Sequence, residues 1–233
     1  MQWDRTASIS KYKKGYYEFP LAELEKFESA RNKRKMEQKN DDEASNLTVR
    51  NLVVESDGSV LIAFEEYYEL KGGLSSEEVY SYGDIIVARI NPDGNFEWIR
   101  NIPKNQRGRM GRRTMSFKLV YDATGYYFLY LDNLKNMNLK DDEVPKLHID
   151  GFGGQLVIAK IDKSGGITKE LVFDTRDEDI LLFPALFRRI STNQFIGRAT
   201  FKKNLFRPFI NNHQIIQFTL NTKGLHNGKP LFC

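Results

Sequence analysis

The chain has 233 residues, 40% hydrophobic, 12% aromatic and 28% charged, which excludes a disordered polymer and leaves enough length for a sizeable core. A net charge of +4 favours solubility without demanding a polyanionic partner, and the one cysteine, Cys233, excludes an internal disulfide. No apolar run approaches the roughly 18 residues that a membrane-spanning helix needs.

The N-terminal stretch MQWDRTASISKYKKGYY lacks the apolar core of a signal peptide, and ISKYKKGYYEF (9–19) reads as a tyrosine-rich strand. A charged segment follows. Pro20 can open a helix, and Leu21, Leu24 and Phe27 recur at helical spacing. From Ser29 onward nearly every residue is polar, so the pattern predicts a helix of about 15–20 residues, docked by its first half and solvated beyond it.

Three later segments align without gaps: DIIVARINPDG (84–94), QLVIAKIDKSG (155–165) and QIIQFTLNTKG (214–224). Each runs through mostly apolar positions into a turn closed by glycine, which supplies the positive φ of a hairpin connector. Return strands NFEWIRNI and GITKELVF follow the first two, whereas Gly228 and Pro230 weaken the strand after the third. Another hairpin precedes each segment, in 52–67, 119–132 and 187–201, with Gly58, Gly125 and Asn193 as matched turn positions. Each unit is therefore hairpin, connector, hairpin, over about 47–103, 115–174 and 184–233, with 1–46 as an N-terminal strand and inserted helix. This predicts an all-β fold with one helical insertion, in which about three four-stranded antiparallel blade-like units form a partial β-propeller. A β-sandwich or an irregular sheet stack is the alternative.

The strings DGSVLIAFEEYY, YGDIIVARIN, IPKNQ (102–106) and YLDNLKN (130–136), with the charged segment after FP, resemble a group of uncharacterised bacterial propeller-like proteins, mostly exported. The resemblance covers roughly residues 15 to 205 and implies the C-terminal portion of a longer periplasmic or cell-surface protein. It carries no catalytic residues. If Met1 is the true start, a cytoplasmic protein is expected instead.

Three groups of side chains invite a functional reading. KNQRGRMGRR (104–113) concentrates Lys104, Arg107, Arg109, Arg112 and Arg113, and Arg-Gly segments bind RNA, yet a surface loop between blades must also be polar. The solvated loop is the expected reading. In DNLKNMNLKDDE (132–143), Asp132, Asn136, Asp141 and Glu143 could offer oxygens to calcium. The positions do not fit an EF-hand, so an Asx-rich loop bonding its own backbone is favoured. Glu65, Tyr67, Tyr68 and Trp98 are surface candidates, the three aromatics forming a platform for sugars or peptides; the competing reading packs them between blades.

His148, His213 and His226 stand near no serine elbow, and no zinc spacing exists. Glu65 and Glu66, adjacent on a strand, should point to opposite faces. No cofactor is expected. These residues favour a non-catalytic binding or scaffold module for a protein or glycan, with self-association through unpaired edges. The alternatives are a fragment of a carbohydrate-active enzyme whose catalytic part lies upstream, and nucleic-acid binding through 104–113.

Overall fold

A computed structural model describes residues 20–30, 33–34, 46–71, 78–109, 114–149, 154–177, 180–191, 194–201, 213–219 and 231–232. The protein is mostly β, built from open antiparallel sheets with one small helix. The first sheet contains β1 (Leu47–Val54), β2 (Val60–Lys71), β3 (Glu78–Ile90) and β4 (Phe96–Ile102), each antiparallel to the next. Its far end gains β5 (Gln106–Gly108) and, parallel to β5, β8 (His148–Ile149). The second sheet runs in the order β6 (Phe117–Asp122), β7 (Gly125–Asp132), β9 (Gln155–Asp162), β10 (Ile167–Asp174). In the third, β11 (Ile180–Leu182) and β12 (Arg188–Arg189) both flank β13 (Gln194–Phe201), which pairs with β14 (His213–Thr219) and then β15 (Leu231–Phe232).

Hairpin turns in the sequence become turns in the fold. Gly58, Gly94 and Gly165 take φ of 90°, 77° and 88°, values a side chain resists. Asn91 and Asp162 brace two of these turns by accepting backbone N–H bonds from Asp93 and Asn95, and from Ser164 and Gly166. The NTKG turn, Asn193, the 9–19 stretch and the glycines before Gly154 lie outside the described residues.

Register decides which faces meet. Ile62 sits across from Ala88, Phe128 across from Ala159, and Phe195 across from Phe218, so these three positions are equivalent if the 84–94, 155–165 and 214–224 correspondence is the frame. That places the β2/β7 correspondence one residue away from the matching of Gly58 with Gly125. The turn after β1 spans residues 55–59 between the pair Val54–Val60, whereas only 123–124 lie between the pair Asp122–Gly125. Two hairpin loops of different length cannot align without a gap.

The sheets stack face on face. Leu61, Ala63, Ile85, Val87 and Trp98 of the first sheet bury against Tyr126, Phe128, Tyr130, Val157 and Ala159 of the second. The opposite face of the second sheet, through Leu129, Leu131, Leu156 and Ile158, buries against Phe187, Phe195 and Ala199 around the third. On the outside of the first sheet, Leu24 of α1 (Leu21–Leu24) packs with Ile86 and Ile99.

That helix is much shorter than the sequence predicts. It makes one turn, leaves helical geometry over 25–29, and is helical again at Ala30 and 33–34. Leu24 and Phe27 are buried, as expected of the docked half. Beyond Phe27 no further apolar stripe exists to hold a longer helix on the sheet, and short helices without tertiary packing are marginal.

Candidate functional site

The densest group of ionisable side chains lies between the first two sheets, where β4 hands over to β5. A bulge prepares it: Glu65 pairs with Ile85 but Tyr67 with Tyr82, so Gly83 and Asp84 together oppose Glu66. β4 stops opposite Ile85, β5 resumes opposite Tyr82, and Pro103, Lys104 and Asn105 bridge the gap. The Lys104 backbone N–H donates to Asp84 Oδ1 at 2.8 Å, and its side chain turns beneath the sheet.

There Lys104 is wholly buried. Its ammonium lies 2.9 Å from Glu65 Oε1 and donates to Tyr82 O at 3.0 Å and Gln106 Oε1 at 3.3 Å, which fills the three directions an ammonium offers. Glu65 is equally buried, and its Oε2 accepts from Arg50 Nε and from Ser116 Oγ, both at 2.8 Å. Gln106 completes the junction by accepting from Ser116 N–H at 2.7 Å and donating to Leu131 O at 2.7 Å. Ser116 takes a left-handed φ of 68° to meet both partners. The cluster ties β2, β3, β5, β7 and the start of β6 together.

Two flanking clusters do similar work. Asp132, fully buried, accepts from Asn136 Nδ2 at 2.7 Å and from Lys169 at 3.2 Å, while Asn136 also bonds both backbone atoms of Lys146 that face it, N at 2.7 Å and O at 2.8 Å. At the opposite end, Arg89 bonds Glu55 and Ser59 at 3.0 Å, Tyr126 at 3.2 Å, and Glu97, while Lys163 joins the same Glu55. The turn before β10 is clamped across the sheets by Trp98 Nε1 on Lys163 O at 3.2 Å and by Arg100 on Gly165 O at 2.6 Å.

Burial moves several titrations. Desolvation, reinforced by the Asp84 charge, pushes Glu66 up to about 8, and desolvation also raises Asp84. His148, buried and near Lys104, is driven down to about 4 by desolvation and then by that charge, so it is neutral at physiological pH. Its Nε2, the Tyr130 hydroxyl and Thr114 Oγ1 are buried without a hydrogen-bond partner in the protein.

These positions revise several sequence expectations. Lys104 belongs to no solvated loop: it is a buried ion-pair member, and Gln106–Gly108 is a strand. Arg107 and Arg109 are exposed; Arg112 and Arg113 lie outside the described residues. Glu65 is no surface residue, and Trp98 is buried edge-to-face against Tyr126 with centroids 6.2 Å apart, which removes it from any exposed platform. Tyr67 and Tyr68 remain near the surface; Tyr67 donates to Glu69 at 2.6 Å and rests 5.0 Å from the Tyr82 ring. Asp132 and Asn136 are consumed inside the fold, whereas Asp141 is exposed and pairs with Lys26 at 3.4 Å, and Glu143 caps Lys140 N–H. The four do not converge, and among the described residues no group of three or more His, Cys, Asp or Glu is placed to hold a metal. Glu65 and Glu66 do take opposite faces, yet Asp84 links them, accepting from Lys104 N–H while donating its own N–H to Glu66 at 3.2 Å.

Comparison of the chain with protein-family models, curated proteins and solved structures gives no match.

Proposed function

We propose that the chain is a non-catalytic binding or scaffold module: three blade-like units of a partial β-propeller, working in the bacterial envelope as part of a longer exported protein and engaging a protein or glycan. The observation that carries this reading is the use of the buried charges. Lys104, Glu65, Arg50, Asp132, Lys169 and Arg89 all spend their hydrogen bonds joining strands and sheets, which leaves no activated nucleophile or base among them facing solvent. Function then falls to surfaces. The open end of β2 and β3 offers Tyr67, Tyr68 and Tyr80, with Glu69 and Glu78 orienting two of the hydroxyls, which suits a ligand needing apolar area beside acceptors.

The test is binding of the protein to glycan and peptide arrays, followed by mass spectrometry of any ligand retained. Binding that disappears in Tyr68→Ala without a change in melting temperature, with the ligand recovered intact, is the expected result. A cleaved ligand would instead favour the carbohydrate-active enzyme fragment.

A further inference from the structure

We infer that the outer face of the first sheet, on its β1–β2 side, is a dimerisation surface that packs against the same face of a second copy of this chain. The inference does not depend on what ligand the tyrosine end takes. It begins with a bulge. β1 pairs Val49 with Phe64 but Asn51 with Ala63, so Arg50 is extruded and the strand's alternation is reset. Leu47, Val49, Leu52 and Val54 consequently share the outer face, an arrangement that strict alternation would break. Three of them are exposed far beyond what a strand facing a core shows: Val49 58%, Leu52 61% and Val54 64%.

The same face is covered where the fold repeats its register. Ile86 and Ala88 on the outer face occupy the positions that Val157 and Ala159 occupy in the second sheet, and those two are buried beneath the first sheet. An outer face of this composition is thus built to be covered by another sheet. α1 covers only the β3–β4 side, through Leu24 against Ile86 and Ile99.

The occupant follows from the two ends of the stack. A head-to-tail partner would have to present the far face of the third sheet, but there β13 offers exposed Arg198, at the position equivalent to Leu131, which is fully buried in the second sheet. Seating that arginine on Leu52 and Val54 would desolvate a charge with no acceptor. The surface most compatible with an apolar strip lacking charges is the same strip, and a two-fold arrangement makes it complementary to itself. Arg50, the one charge on β1, is already turned inward to Glu65 and leaves the strip neutral, and β1's outer edge pairs with no other described strand.

Light scattering on a size-exclusion column, over about 1–100 µM, tests the dimer across the affinity range of modest interfaces. The expected mass is twice the 27.1 kDa of the chain, falling toward a single chain on dilution. Leu52→Lys/Val54→Lys should weaken the dimer at least about tenfold with the melt of the diluted monomer unchanged, since both side chains are already exposed. Val49→Thr/Val54→Thr keeps strand propensity and should weaken it in the same direction, which guards against misfolding of the lysine variant. A wild-type protein that stays a single chain throughout, or a dimer indifferent to both variants, overturns the inference; the first result would assign the face to another protein or to further sheets.

Discussion

Lys104 sits in the most cationic decapeptide of the chain, and nothing local to the sequence separates it from the arginines that follow. What separates it is the bulge at Gly83–Asp84, which interrupts the sheet and pulls the backbone of 103–105 inward. A buried pair contributes little net stability, yet removing one partner strands the other. Lys104→Met should therefore destabilise by about 3–5 kcal/mol, and Lys104→Met/Glu65→Leu should recover most of that loss. Urea denaturation of the two variants checks both; a single mutant as stable as wild type would show that Arg50 and Ser116 suffice for Glu65. Glu66 gives a pH signature. Its folded pKa is raised, so above its ordinary value of 4.5 the unfolded chain loses the proton first. Stability from this group is full below pH 4.5 and declines as pH rises toward about 8. His148 acts in the other direction: its lowered pKa gives stability that is full above 6.5 and lost as pH falls toward about 4. Denaturation midpoints of Glu66→Gln should lack the wild-type decline between pH 6.5 and 8, where His148 no longer titrates. An equal decline in both proteins would assign it elsewhere.

At the scale of elements, glycine turns and hairpins were legible because their cause is local: a positive φ and a short polar loop. Two glycines with similar roles should nonetheless respond differently. A Cβ on Gly58 meets only Pro92, at 3.7 Å, so Gly58→Ala should cost about 1 kcal/mol for its left-handed φ of 90°. A Cβ on Gly125 would collide with the Ile161 carbonyl oxygen and approach Asp162 Cα to 3.1 Å, backbone atoms that cannot turn aside. Gly125→Ala should cost at least about 2 kcal/mol more by the same denaturation assay. Equal losses would mean that β9 yields. The helix after Pro20 was misread for the opposite reason. Its spacing was helical, but helix length is set by what the segment packs on, and only Leu24 and Phe27 find the core. Bulges were invisible too. Those at Arg50 and Gly83–Asp84 depend on cross-strand partners, and the first decides which face of β1 is apolar.

At the scale of the whole molecule, the second sheet is the only one of the three whose two faces are both covered by neighbouring sheets. Tyr126, Phe128 and Tyr130 point into one interface, and Leu129 and Leu131, with Leu156 and Ile158 beside them, into the other; all but Ile158 are essentially inaccessible. β7 and β9 are also central within that sheet, each hydrogen-bonded on both edges. Opening either strand must break two ladders and two apolar interfaces together, whereas β10 is an edge strand with Ile167 and Leu171 substantially exposed. The third sheet is joined to the rest through one interface only, around Phe187, Phe195 and Ala199. Local opening free energies follow the number of contacts that opening destroys. Hydrogen–deuterium exchange should thus be slowest in peptides covering 126–131 and 156–161, faster in 194–200, and faster again in 167–173. The order should persist below the concentration at which the chain self-associates, since it arises within one copy. If 194–200 exchanged more slowly than 156–161, stability would be centred on the third sheet, and the two-sided burial of β7 and β9 would not be what holds the stack together.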